Sequence, residues 1–257
     1  MKRLTGFFIG LAVALIGIGA PADAGAATLA DETLHYVITY KWGLIHKEAG
    51  TAVLTLRGNG DDYRLRLTAQ TRPWADRIFR VRDTLVSDVR RSDLRPHRYV
   101  RSAHEGGRYS RDELLFTHSG DNASASARRL RVNKKGERRE SEISLRATGP
   151  TFDMLSVFYF LRSIDYQALS GGKSVTANIF SGKQTEKLTI RCDGKERLKL
   201  RDGTHVQAWH IRFRFTSGGG KKSSDDIDAW ISVDPRHIPL QLIGSLPVGQ
   251  VRAYLVK

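Results

Sequence analysis

The chain has 257 residues, with 42 Lys and Arg against 27 Asp and Glu and a formal net charge of +15. Its single cysteine, Cys192, excludes an intramolecular disulfide, so stability must come from a packed core. The charge excess favours anionic partners by long-range attraction. The chain carries no phosphate loop, Gly-x-Ser-x-Gly elbow or His-Glu-x-x-His helix to support nucleotide, serine-hydrolase or zinc-peptidase chemistry.

Lys2 and Arg3 precede an apolar run from Leu4 to Ala20, and Ala22-Asp23-Ala24 and Ala24-Gly25-Ala26 follow it. A charged start, a short apolar run and small residues in that order read as a secretory signal peptide over 1–26, cut near Ala24 or Ala26. A permanent anchor would need about 20 apolar residues, and no cysteine follows the run to carry a lipid. The mature chain over 27–257 is therefore expected outside the cytoplasm as a single β-rich domain.

From residue 33 the dominant period is two. Tyr63, Leu65, Leu67 and Ala69 alternate with Arg64, Arg66, Thr68 and Gln70, and Ile211, Phe213 and Phe215 alternate with Arg212, Arg214 and Thr216. This is the pattern of antiparallel strands with one buried and one wet face. Similar strands are predicted over 33–41, 49–57, 78–89, 97–104, 111–118, 122–132, 138–146, 173–180, 184–192, 196–201, 205–215, 227–233, 238–243 and 249–256. Gly58-Asn59-Gly60-Asp61, Ser119-Gly120-Asp121-Asn122, Ser181-Gly182-Lys183 and Asp234-Pro235-Arg236 supply turns between them. The dense basic cluster Arg128 to Arg139 contains another hairpin turn at Asn133-Lys134-Lys135-Gly136. Cys192 shares parity with Leu188 and Ile190, which predicts a buried, inert thiol.

One segment breaks the period. Thr151 is placed to cap a helix over 151–164, with Asp153 in its first turn. Met154, Val157, Phe158 and Leu161 form one stripe, while Phe152, Leu155, Tyr159 and Phe160 fill the other sides. A helix apolar nearly all round must be covered on more than one side, by packed layers, a partner or an apolar ligand. The expected fold is mainly β, a curled antiparallel sheet or partly open β-barrel with this one apolar α-helix near the middle.

No histidine spacing makes a metal site, and no catalytic residue, metal or cofactor is assigned. Glu48, Asp83, Glu105 and Asp228 are carboxylates from which a glycosidase pair would be drawn, but spacing does not choose among them.

Several segments together resemble a family of bacterial exported proteins, the domain of unknown function DUF3108. They are Leu34-x-Tyr36-x-Ile38-x-Tyr40-x-x-Gly43, Tyr63-x-Leu65, Phe79-x-Val81-x-Asp83-x-x-x-Ser87 and Leu94-x-Pro96-x-x-Tyr99, then the run Asp153 to Arg162, and Trp230 to Asp234 with Ile238-Pro239-Leu240. The resemblance spans about residue 31 to 257. It implies an exported envelope protein and brings no catalytic residues.

The leading expectation is a periplasmic, non-enzymatic binding protein for a hydrophobic or lipid-like ligand, with Leu155, Phe158, Tyr159, Phe160 and Trp230 as candidate ligand-binding residues. An anionic membrane surface is a candidate partner, approached by Arg64, Arg66, Arg80, Arg82, Arg212 and Arg214; nucleic acid is not expected. The competing expectations are a structural or interaction protein of the envelope with a self-filled core, and a hydrolase acting on an envelope polymer.

Overall fold

The computed structural model describes residues 29–217, 226–246 and 249–256. The expected signal peptide and its cleavage position lie outside the described residues. Among the described residues the fold is one sheet of fifteen strands, antiparallel except for one short edge strand, bent into a nearly closed barrel.

Eight strands come first: β1 (Glu32–Trp42), β2 (Ile45–Asn59), β3 (Asp62–Thr71), β4 (Val81–Arg90), β5 (Pro96–Glu105), β6 (Arg108–Ser119), β7 (Asn122–Val132) and β8 (Arg138–Thr148). Each pairs with the next by a short connection, so their order in the sheet is their order in the chain. The turn residues make this possible. Gly60 and Gly120 take positive φ values of 60° and 56° in two-residue turns between paired residues Asn59 and Asp62, and Ser119 and Asn122. At the basic hairpin the Asn133 side-chain oxygen accepts from the backbone N–H groups of Lys135 and Glu137.

The second half contains β9 (Thr151–Asp153), β10 (Ser174–Phe180), β11 (Thr185–Lys199), β12 (His205–Ser217), β13 (Ile227–Ser232), β14 (Pro239–Ser245) and β15 (Gln250–Val256). Strand β15 returns to pair with β1, which joins the two halves, and the sheet edges are β8 and β9. Across the gap, Asn178 of β10 donates through its side-chain amide to Thr148 O of β8 at 2.9 Å, and the Thr185 hydroxyl of β11 donates to Arg146 O of β8 at 3.5 Å. These bonds draw the seam together without a continuous ladder.

Three helical pieces interrupt the sheet: α1 (Pro73–Phe79), α2 (Ser156–Leu161) and α3 (Tyr166–Leu169). The expectation of one helix over 151–164 is corrected. Thr151–Asp153 instead pairs in parallel with β10, and the helix proper has six residues. Its N-cap position is Leu155 rather than Thr151, without a side-chain cap, and Asp153 Oδ1 holds the turn leading into it by accepting from the N–H groups of Leu155 and Ser156 at 2.7 and 2.9 Å. The predicted strand 78–89 likewise starts late. Pro73 begins α1, where its missing N–H costs nothing, and β4 begins only at Val81. The strands predicted over 184–192 and 196–201 are one strand, β11, with a bulge between Cys192 and Gly194.

The core lies inside the curl. Leu54, Leu56, Leu65, Leu67, Leu85 and Leu114 face inward from the first half, and Leu188, Ile190, Ile211, Phe213, Ala229 and Leu242 from the second. Cys192 sits in this core as a free, buried thiol, and burial pushes its pKa up.

Candidate functional site

The expected ligand-binding residues on the helical segment are all inside the core. Leu155, Phe158, Tyr159 and Phe160 are between 0% and 7% exposed. Phe160 stacks on Phe152 with ring centroids 4.2 Å apart, and Phe158 meets Tyr159 edge-on. Two polar anchors hold the segment there. Ser87 on β4 donates to Asp153 Oδ2 at 2.6 Å. Arg162 donates to Arg236 O at 2.8 Å, pairs with Glu32, and lies over the Tyr159 ring. Trp230 is elsewhere. It is half-buried on the outward side of β13, stacked on His210 at 4.7 Å, and its indole N–H donates to Glu196. The structure therefore does not bring Trp230 together with the other four.

A charged layer occupies the inward face of β4 to β7. Asp83 pairs with Ala103, Arg101 with Asp112, and Asp112 with Arg129 across neighbouring strands. Arg129 and Arg131 both donate to Asp112, at 3.2 and 2.5 Å, and Arg101 approaches Glu105 at 3.4 Å. Asp83 and Glu105 are 4% and 7% exposed, and each leaves one carboxylate oxygen without a partner, as does the Tyr99 hydroxyl. Burial, reinforced by repulsion from Glu105, pushes the Asp83 carboxyl up to about 7. Burial also pushes Glu105 up to about 7, against the opposing pull of Arg101.

Of the four carboxylates considered for glycoside cleavage, only Asp83 and Glu105 thus come together. Glu48 pairs with Arg201 and Arg72, and Asp228 lies 2.9 Å from His210 on the outer face.

On the outer face a cleft of about 470 Å³ lies beneath the tip of the β11–β12 hairpin. Its floor contains two cross-strand pairs, Thr39 with Arg252 and Gln241 with Tyr254, whose chain neighbours Leu242, Val251 and Ala253 point into the core. Leu198, Lys199, Leu200 and Arg201 complete it from the hairpin, and His46, Lys47 and Glu48 from the start of β2. Arg201 reaches Glu48 and fixes the hairpin tip against β2. Thr39 is 6% exposed and its hydroxyl has no partner. The cleft combines Leu198, Leu200 and the Tyr254 ring with the cations Lys47, Lys199, Arg201 and Arg252, so it can take an apolar group joined to an anion.

Sequence reasoning missed both arrangements. The charged layer carried a signal: Asp83 shares parity with Val81 and Leu85, and Asp112 with Leu114 and Phe116, so charges stood in an apolar register. The cleft carried none, because it exists only where the β11–β12 tip meets strands distant in sequence.

Among the described residues no group of three His, Cys, Asp or Glu side chains is arranged to hold a metal ion, and no helix is long and apolar enough to cross a membrane.

The sequence pattern of the family described as "Protein of unknown function (DUF3108)" matches residues 35–256. No curated protein matches the chain. A crystal structure of a beta-barrel-like protein of domain of unknown function DUF1849, from Brucella abortus, is similar in fold. The TM-score is 0.61 at 12% identity, covering 90% of this chain and 98% of that one.

Proposed function

The chain belongs to the DUF3108 family, and from its geometry we propose that it is an exported, periplasmic binding protein for a lipid-like ligand bearing an anionic headgroup, held in the outer cleft. One observation carries this reading. The apolar segment that would line an internal cavity is buried among its own neighbours, whereas the outer cleft pairs apolar walls with four cations. An alkyl chain would lie against Leu198, Leu200 and Tyr254. Its phosphate or carboxylate would meet Lys199 and Arg252.

The test is a titration of the mature protein with dodecyl phosphate and, separately, with a neutral dodecyl glycoside. Dodecyl phosphate should bind more tightly. Lys199→Gln with Arg252→Gln should weaken it by tenfold or more, at about 1.4 kcal/mol per factor of ten, and leave the melting temperature nearly unchanged. Equal affinity for the two probes, or no loss in the double variant, would count against the proposal.

The second reading, a structural envelope protein with a self-filled core, draws on the same burial of Leu155, Phe158, Tyr159 and Phe160. It separates from the first by having no affinity for either probe. The hydrolase reading would rest on Asp83 and Glu105, but both lie inside the barrel at an exposure that leaves no room for a polymer between them.

A further inference from the structure

The β1–β2 hairpin ends in Lys41-Trp42-Gly43-Leu44-Ile45-His46-Lys47. Gly43 has φ 54° and is the first of two turn residues, the type II′ position that glycine fills without strain. The turn holds Trp42 and Leu44 outward: Trp42 is 55% exposed and Leu44 is fully exposed at 105%. Lys41, His46 and Lys47 beside them are exposed too.

Helix α1 is fastened to the base of this hairpin. The Trp74 indole N–H donates to Glu48 O at 2.6 Å, the Arg72 N–H donates to Ala49 O at 2.8 Å, and Lys47 lies over the Trp74 ring. That helix presents a third bare apolar side chain, Ile78 at 76% exposure, between exposed Arg77 and Arg80. Among the described residues, three of the five large apolar side chains that stand exposed, Trp42, Leu44 and Ile78, therefore occur on two adjoining elements, each flanked by cations.

We propose that this hairpin tip and α1 form a docking surface for an anionic phospholipid bilayer. Among the described residues these apolar side chains have nothing to bury in, and a bilayer interface offers a place for each. Tryptophan is favoured at headgroup depth, where its ring is half apolar and its N–H stays wet. Leucine and isoleucine gain by leaving water. Lysine and arginine beside them meet phosphate charge. Charge complementarity chooses the occupant, since a second copy of a chain with net charge +15 would bring like charges together. The cleft shares His46 and Lys47 with the hairpin, so docking would set the cleft beside the headgroups. The docking surface itself does not depend on the cleft.

The test is flotation of the mature protein with phosphatidylcholine vesicles, with and without phosphatidylglycerol. Flotation should require the anionic lipid and weaken with salt. Trp42→Ser and Leu44→Ser should each lower partitioning by about tenfold, and Lys41→Glu by about fivefold or more, with unchanged melting temperatures because all three positions are exposed. Arg252→Gln serves as the control for the cleft. It should bind dodecyl phosphate more weakly yet float almost as the parent does, so failure of one proposal is distinguishable from failure of the other. Equal flotation with neutral vesicles would overturn the docking proposal. So would unchanged flotation of the Trp42→Ser/Leu44→Ser double variant, or light scattering showing that the tip substitutions abolish a dimer instead.

Discussion

Asp83 and Glu105 enter the barrel in the same register as Val81 and Ala103, so strand geometry alone takes both carboxyls out of water. Their pKa values rise from ordinary carboxylate values of 3.8 and 4.5 to about 7. Below about pH 4 both groups are protonated in the folded and unfolded chains. Between about pH 4 and 7 the folded protein keeps protons that the unfolded chain releases, so their contribution to stability is fully present at low pH and is lost as pH rises through 7. Asp83→Asn removes the ionisation and retains an oxygen to accept from the His104 N–H, as Asp83 Oδ1 does now. The variant should be more stable than the parent at pH 8, on the order of 4 kcal/mol, and nearly equal to it at about pH 3.5, below the unfolded carboxyl value. Thermal melts at the two values check this, and a difference independent of pH would contradict it. Parity in the sequence shows that Asp83 faces inward. The neighbours that set its charge state lie on β5, and their closeness required the folded register.

At the scale of elements, the family-like segment from Asp153 to Arg162 acts as an internal plug. Asp153 fastens its start to Ser87, Arg162 fastens its end to Arg236 O and Glu32, and Tyr36 of β1 donates to Pro239 O nearby at 3.0 Å. Four of the sequence segments that resemble the family thus meet in these bonds. With this packing Phe158→Ala should cost about 3–5 kcal/mol, since transfer and cavity terms add. Trp230→Ala, on the outer face, should cost much less. Denaturant midpoints measure both, and a small loss at Phe158 would mean that it borders a cavity instead. Apolar composition made the plug visible in the sequence, but its conformation was not. Thr151–Asp153 has a vacant position beside β10, and pairing there satisfies backbone groups that a longer helix would otherwise have held. At α1, Pro73 and Asp76 were ordinary helix-start signals, and the predicted strand 78–89 extended the alternation of β4 backward over the last helical residues.

At the scale of the whole molecule, pairing of consecutive strands follows from short turns between alternating segments, which is why the mainly β, curled character was legible from sequence. The pairs that close the fold are non-local. Strand β1 meets β15 across the length of the chain, and β9 meets β10 in parallel over three residues. The cleft belongs to this level, since it draws on β1, β2, β14, β15 and the β11–β12 tip. No periodicity within one segment encodes such a convergence.

The central claim is that an anionic, lipid-like molecule occupies the cleft. Native mass spectrometry of the protein purified from its producing cells, before and after organic extraction, tests it most directly when the parent is run beside Lys199→Gln/Arg252→Gln. A bound mass that is present in the parent, removed by extraction and absent from the variant is the predicted result. A parent with no bound mass, or a variant that retains it in full, would contradict the claim.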